Sequence, residues 1–354
     1  MPDTLTPVYD QQLQREVVEF KRNNETYRCV AQLGNRYKLT SLLSVGGFGV
    51  IYEAIDKRLY DKKVLIKANL YNRRSLKVPN NNAVAKEVEK QRERLEHERR
   101  MLLQAQKRDI AQAPLLLEEV RDLGLDLHGP HQSDNNQSHY YELQDLWRQE
   151  PFLVLSYVNG LPLDAVISDH TSDALKHTFL KKRWFYTKSL IIQIGSILQR
   201  FHQEDFSASG DKLSFIYQDL KPANIIFTRE KQFILIDFGS FALRKNGKTD
   251  ARFARTGTLG YQPPEFTPRY PADLIDARAD VFALGATVYH LMTLQAPQAN
   301  DRDLSVFDEQ ALKKLPEPWQ QWLAKATHSD LSQRYPDMKS AIGGAYHLPV
   351  KAEE

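Results

Sequence analysis

An α+β fold in two lobes, strand-rich first and helical second, is what this sequence predicts, on three observations. From Tyr37 to about Ala68, short apolar stretches alternate with turns, the pattern of consecutive strands. Beyond Gly160 the apolar residues recur at helical spacing instead. Strands and helices that segregate along a chain in this way form separate layers, here two lobes with a cleft between.

The totals fit. The chain has 354 residues, a length for about two domains, and its 42% hydrophobic and 26% charged content is that of a globular protein. A net charge of +3 is too small to argue for nucleic acid or an anionic membrane. The single Cys29 excludes an intrachain disulfide and a cysteine zinc cluster, and fits a reducing compartment. No apolar run approaches the roughly 18–20 residues that span a bilayer. The start, Met-Pro-Asp-Thr-Leu, lacks the basic-then-apolar pattern of a secretory signal. The chain therefore reads as soluble and cytoplasmic, with neither nucleic acid nor membrane as partner.

Residues 1–35 read as a polar N-terminal extension. Within it Leu13, Val17 and Phe20 share one face of a short amphipathic helix expected over 11–20, packed on the body or serving as a docking arm. The first lobe is expected over 36–157, with strands through 37–68 broken by turns at Gly46-Gly47 and near Asp61. A polar loop follows at 72–82, then one long charged helix over 84–108 and strands at 115–120 and 152–157. Glu87, Glu89, Glu93, Glu96 and Glu98 are interspersed among the basic residues of that helix, which reads as a solvated face and not a nucleic-acid stripe. Residues 122–150 form a hydrophilic insertion, a second docking candidate. Its His128, His131 and His139 with Asp126 and Asp134 read as a solvated loop before a metal site. The second lobe is expected over 158–346, with helices at 172–203, 279–294 and 317–327, and a tail at 347–354.

Three segments carry chemistry. Residues 216–226, Ile-Tyr-Gln-Asp-Leu-Lys-Pro-Ala-Asn-Ile-Ile, place a base (Asp219), a cation (Lys221) and a metal ligand (Asn224) on one short loop between apolar runs. Phosphoryl transfer from a nucleotide needs such groups close together. Residues 44–51, Ser-Val-Gly-Gly-Phe-Gly-Val-Ile, lie between strand-like runs, where glycines let the backbone approach phosphates. Residues 233–239 deliver Asp237 from an apolar strand into a Gly turn, and magnesium prefers such hard carboxylate oxygens.

In order and spacing these segments resemble the signatures of the protein kinases, over about residues 37–336. The catalytic loop there usually reads His-Arg-Asp-Leu-Lys-x-x-Asn; Tyr217 and Gln218 stand in place of His and Arg. Ser44 replaces the first glycine of the glycine loop, and Leu65 in Val64-Leu65-Ile66-Lys67 replaces an alanine beside adenine. The resemblance implies a bilobal protein-kinase-like fold and a serine/threonine protein kinase using ATP and Mg2+. Lys67 would bind the α- and β-phosphates and pair with a helix carboxylate. Of Glu93, Glu96 and Glu98, only Glu98 shares a face with Leu95, Met101 and Leu102.

The nucleotide would further meet Ser44, Val45, Gly46, Gly47, Phe48, Gly49 and Ile51 of the loop. Leu65 and Ile226 would join Ile51 in sandwiching adenine, which would bond the backbone of Ser156 and Val158. Asp219 would orient the acceptor hydroxyl, Lys221 would neutralise the γ-phosphoryl group, and Asn224 and Asp237 would hold magnesium. Lys221 and Thr258 match the serine/threonine class, so the partner would be a protein with a Ser or Thr acceptor. Glu265 would pair with Arg334, and Asp280 would anchor the catalytic loop backbone. Gln218 cannot pair with a phosphate as Arg does, which implies activity without activation-loop phosphorylation. The compact form and divergent loop resemble bacterial eukaryote-like kinases. The competing reading is a nucleotide-binding pseudokinase or regulatory scaffold.

Overall fold

The structure, a computed structural model, describes residues 3–11, 13–22, 25–46, 49–70, 81–124, 149–168 and 173–350. The chain divides into two compact units, one of Met1–Leu103 with Pro114–Tyr157, the other of Gln104–Ala113 with Val158–Glu354. The fold is that of the expected class, strands first and helices after.

The first unit holds strands β1 (Asp3–Thr4), β2 (Val8–Asp10), β3 (Arg15–Arg22), β4 (Glu25–Val30), β5 (Gln32–Leu33), β6 (Tyr37–Val45), β7 (Val50–Asp56) and β8 (Lys62–Ala68). Helix α1 (Asn81–Lys107) and strands β9 (Leu116–Asp122) and β10 (Glu150–Ser156) follow. The main sheet runs β1-β6-β7-β8-β10-β9, with β5 beside β6, and β2-β3-β4 form a second sheet. Strict alternation sorts the main sheet's faces. Tyr52, Ala54, Val64, Ile66, Ala68, Phe152 and Val154 belong to one core cluster. Leu65 and Lys67 point to the opposite face, where Lys67 reaches α1.

The core cluster also includes Val17, Val18, Phe20, Tyr27, Cys29 and Val30. This corrects the expected helix over 11–20. Residues 15–22 form a strand, paired Val17↔Val30, Val18↔Cys29 and Phe20↔Tyr27. A window this short cannot separate the two periods, and the adjacent β-branched Val17 and Val18 favour the extended state. Phe20 stacks on Tyr27 at 5.3 Å and meets Tyr52 edge-on at 6.2 Å, cross-strand contacts a lone helix would lack. Val17, Val18, Phe20, Tyr27, Cys29 and Val30 thus contribute to the unit's own core. The other docking candidate and its histidines, at 125–148, lie outside the described residues.

The second unit holds β11 (Gly160–Pro162), α2 (Leu163–Ile167), α3 (Ala174–Lys181), α4 (Arg183–His202), β12 (Asp205–Phe206), β13 (Lys212–Ile216), β14 (Ile225–Thr228), β15 (Phe233–Leu235), β16 (Ala242–Lys245) and β17 (Lys248–Thr249). Next come α5 (Arg278–Thr293), β18 (Gln298–Ala299), β19 (Ser305–Val306), α6 (Glu309–Lys313), α7 (Glu317–Ala326) and α8 (Met338–Ala345). The helical stretch expected over 172–203 is two helices, broken at Lys182 (φ −124°, ψ 34°), with no Gly or Pro to mark the break. Helix α5 is buried on nearly every side, as a helix at the centre of a bundle must be. A Cβ on its Gly285 would sit 2.6 Å from Thr327 Cγ2, so glycine is what lets the end of α7 approach. Arg334 forks onto Glu265 at 2.7 and 3.1 Å, both groups buried, which ties the segment before α5 to that before α8. Among the described residues no helix is long and apolar enough to cross a membrane.

Because Phe20 is buried among aromatic partners, Phe20→Ala should cost about 3–5 kcal/mol of unfolding free energy, measured by urea titration. A change within about 0.5 kcal/mol, the usual surface value, would mean that β3 is peripheral after all.

Candidate active site

The loop at 217–224 owes its shape to one carboxylate. Asp280, on the first turn of α5 and wholly buried, accepts the backbone N–H of Tyr217 at 2.8 Å and of Gln218 at 2.7 Å. His202 Nε2 lies 2.7 Å from the same carboxylate. These bonds hold Gln218 at φ +70°, a left-handed conformation that costs a non-glycine residue about 1–3 kcal/mol. The turn so forced presents Asp219 beside Lys221. The expected anchoring role of Asp280 matches this geometry, while His202 had no signal in the sequence beyond its place at the end of a helix.

Asp219 sits in a closed ring of charge-assisted bonds. Lys221 Nζ donates to Asp219 Oδ2 at 2.8 Å and to Thr258 Oγ1 at 2.6 Å, and Thr258 Oγ1 donates to Asp219 Oδ1 at 2.6 Å. Asn224 Nδ2 donates to the Asp219 main-chain oxygen at 2.8 Å and to Oδ2 at 3.0 Å. Four sequence-predicted residues are therefore brought together, one of them 39 positions away along the chain. With its NH2 group turned to Asp219, Asn224 can offer a cation only its amide oxygen.

Asp237 follows β15 with φ +62° and ψ 82°, again left-handed. Its neighbours explain how that is sustained. Phe238 is buried against Phe201 at 6.0 Å and Phe241 at 5.3 Å. Ile236 N–H donates to Asn224 O at 2.9 Å, and Tyr217 Oη donates to Ile236 O at 2.5 Å. Tyr217 thus lies wholly in the core and also fixes the residue before Asp237. Burial, then the nearby Asp237, Asp219 and Asp280 charges, push the Tyr217 hydroxyl well above its ordinary range, so it remains a donor. A carboxylate and an amide oxygen are hard donors that fit magnesium.

Gln218 does more than replace an arginine. Its buried Nε2 donates to Ser240 O and to Phe253 O, each at 2.7 Å, and its Oε1 accepts the Arg255 N–H at 2.7 Å. One neutral amide therefore holds both ends of the segment from Ser240 to Arg255. Thr249 is buried and donates to Ile275 O at 2.6 Å, and Thr256 donates to Ser240 O at 2.9 Å. Further on, Tyr261 Oη lies 2.6 Å from His290 Nδ1 on α5. Burial depresses the His290 pKa to about 4, which keeps the imidazole neutral.

In the first unit Lys67 Nζ lies 2.7 and 2.6 Å from the two oxygens of Glu98, with both side chains buried. Glu98 is the partner that the helix-face argument selects. Glu96 faces Arg99 instead, at 2.6 Å. Ser44 and Val45 end β6 and pair with Ile51 and Val50. Gly46 N–H donates to Gly49 O at 2.9 Å, closing the hairpin; Gly47 and Phe48 lie outside the described residues. Gly49 has φ +152°, and a Cβ there would lie 2.5 Å from Ala68 O, so only glycine allows this backbone approach. Leu65 lies on the strand of Lys67, and Ile51 is the cross-strand neighbour of Lys67. Val158 and the buried Ile226 belong to the second unit. Of the Ser156 backbone expected to meet adenine, the N–H donates to Leu115 O at 2.9 Å.

The profile of the protein kinase domain matches residues 37–340. The chain is 25% identical over 269 residues to serine/threonine-protein kinase A of Synechocystis sp., covering 75% of this chain and 42% of that one. It is 26% identical over 291 residues to serine/threonine-protein kinase PknA of Mycobacterium tuberculosis, covering 82% of this chain and 53% of the other. The chain thus spans about half the length of these relatives or less. Among solved structures, the autoinhibited serine kinase domain of the giant muscle protein titin superposes with a TM-score of 0.55 at 16% identity, over 90% of this chain and 83% of that chain. At that identity the likeness concerns the fold alone.

His290 generates a pH prediction. Folded, it stays neutral down to a pH of about 4; unfolded, it protonates near its ordinary value of about 6.5. Between those limits the unfolded chain binds more protons, so stability should fall as pH falls. His290→Gln should flatten that part of the curve of melting temperature against pH, and identical curves would contradict the assignment.

Proposed function

The chain belongs to the protein kinase domain family, and from that premise we propose that it is an ATP-dependent serine/threonine protein kinase, soluble in the cytoplasm, acting on protein substrates. One observation carries the reading: the ring in which Lys221, Thr258 and Asn224 all bond Asp219. A pseudokinase has no need of a carboxylate so held. In the reaction Asp219 orients the acceptor hydroxyl and takes its proton as the new O–P bond forms. The bond from the γ-phosphorus to the bridging oxygen breaks, and ADP leaves. Lys221 lies against Asp219 and neutralises charge on the transferred group. Thr258 keeps lysine and aspartate in register and ties them to the segment expected to receive the substrate, as a Ser/Thr-directed site requires.

Asn224 and Asp237 would hold magnesium, which supplies charge neutralisation between phosphate oxygens when bound. Lys67, kept extended by Glu98, would take the α- and β-phosphates. The hairpin from Ser44 to Ile51, narrow at Gly49, would cover them. Leu65, Ile51, Ile226 and Val158 would contact adenine, with the Ser156 carbonyl as acceptor.

The finer claim is that no activation-loop phosphate is needed. The support is the Gln218 amide, which already makes the three bonds that hold the segment ends. The hydroxyls of Thr249 and Thr256 already have acceptors. A phosphate on Thr249 would have to break a buried bond and would meet no arginine at position 218.

Two tests follow. Purified protein with Mg-ATP and a mixed Ser/Thr substrate should transfer phosphate, and Asp219→Ala and Asp237→Ala should each lose about 10²–10⁴ in rate. Transfer that survives both substitutions, or is absent from the wild type while Mg-ATP still binds, would favour the scaffold reading. Phosphatase-treated protein, shown by intact mass to carry no phosphate, should remain fully active, as should Thr249→Val with Thr256→Val. Gln218→Ala orphans buried groups worth about 1–3 kcal/mol each and should cut kcat/KM by about 10- to 100-fold. Activity lost with the phosphate, and unaffected by Gln218→Ala, would reverse the claim.

A further inference from the structure

A second ion pair in the first unit, its carboxylate buried and its arginine half-buried, lies outside every catalytic signature. Glu150, the first residue of β10, is buried. Its Oε2 accepts Arg92 Nε at 3.0 Å and Nη2 at 2.8 Å, and its Oε1 accepts Asn69 Nδ2 at 2.8 Å. Three segments meet there: α1 through Arg92, β10 through Glu150, and the end of β8 through Asn69. A carboxylate taken from water is costly unless paired and hydrogen-bonded, so this cluster holds its partners closely.

Its placement gives it a second consequence. Asn69 follows Lys67 by two residues, about 7 Å along an extended chain. Arg92 precedes Glu98 by six residues, about 9 Å along the helix axis and on a different face. The helix is therefore tied to the sheet at two points, to β8 at Lys67 and to β10 at Glu150, which also holds Asn69 at the end of β8. With the Lys67–Glu98 bond alone, α1 could pivot about that bond or turn on its axis. Two Arg92 N–H groups converging on Glu150 Oε2, with Asn69 holding Oε1, restrain both motions. Arg99 adds a looser contact to Glu119 of β9 at 3.3 Å.

We propose that Arg92, acting through Glu150 and Asn69, is a positioning residue for phosphoryl transfer, locking α1 in the one register that keeps Glu98 on Lys67. The inference rests on the kinase reading given above. It makes the Lys67–Glu98 bond a property of the unit itself, formed before nucleotide or any partner arrives.

The test compares ATP kinetics per folded molecule for the full chain carrying Arg92→Ala, the neutral pair Arg92→Met with Glu150→Gln, Glu98→Gln, and each combined with Glu98→Gln. The neutral pair leaves no buried orphan charge and keeps the test open where Arg92→Ala does not fold. Loss of the tie should raise KM for ATP and lower kcat/KM by about 10- to 100-fold, the scale of a small misplacement. It should add almost nothing once Glu98 is Gln, because both act through one contact. A lower melting temperature with unchanged kcat and KM, or a loss that adds in full to Glu98→Gln, would overturn the proposal. Should the wild type transfer no phosphate, the kinase reading falls, and amide hydrogen exchange judges the tie. Faster exchange across 88–103 in the neutral pair would uphold it, and unchanged exchange would overturn it.

Discussion

Asp280 is a carboxylate with no access to water, and the second unit is arranged around satisfying it. Its two oxygens take the N–H groups of consecutive residues, Tyr217 and Gln218, and the ring of His202. Two adjacent N–H groups can converge on one carboxylate only if the chain turns sharply, and Gln218 at φ +70° is that turn. From the turn follow the direction of Asp219, the reach of Lys221 and the position from which the Gln218 amide meets the segment at 240–255. The aromatic stack of Phe201, Phe238 and Phe241 closes the other side and carries Asp237 in its own left-handed conformation. Each strained residue costs about 1–3 kcal/mol, offset by bonds that exist only in the strained form.

The first unit solves a different problem with the same physics. A glutamate and a lysine must meet under burial, from a helix and a strand that no local interaction joins. Lys67–Glu98 is buried, the Arg92–Glu150–Asn69 cluster has a buried carboxylate at its centre, and both are multiply bonded. Buried pairs contribute little net stability, since desolvation consumes most of the Coulombic gain. Their value lies in the steep penalty for leaving the arrangement, which selects one helix register among several of similar packing energy.

Much of the candidate site was legible in the chain. Asp219, Lys221 and Asn224 lie within six positions, so the loop carries its own geometry, and Asp237 follows a plain apolar strand. Glu98 could be chosen over Glu93 and Glu96 because helical periodicity exposes which carboxylate shares a face with apolar residues. The strand at 15–22 was misread as a helix because eight residues do not distinguish the two periods; the partner strand at 25–30, the buried sheet above it and the Phe20–Tyr27 contact settled the matter. Nothing in the sequence reveals that the Ser156 N–H donates to Leu115, 41 positions earlier.

The sequence by itself determined the segregation of strands before helices, the family, and the candidate groups for handling phosphate, since each rests on residue type and short spacing. The tertiary structure alone decided what depends on long-range pairing. Gln218 is, by sequence, an arginine lost; in the fold its amide meets three backbone groups up to 37 positions away and becomes a clamp. Arg92 and Glu150 are, by sequence, two charges among many, 58 positions apart, and only folding sets them together. Local propensity acts over a few residues, whereas hydrogen-bond satisfaction in a buried site is decided by whatever the whole chain brings within three ångströms.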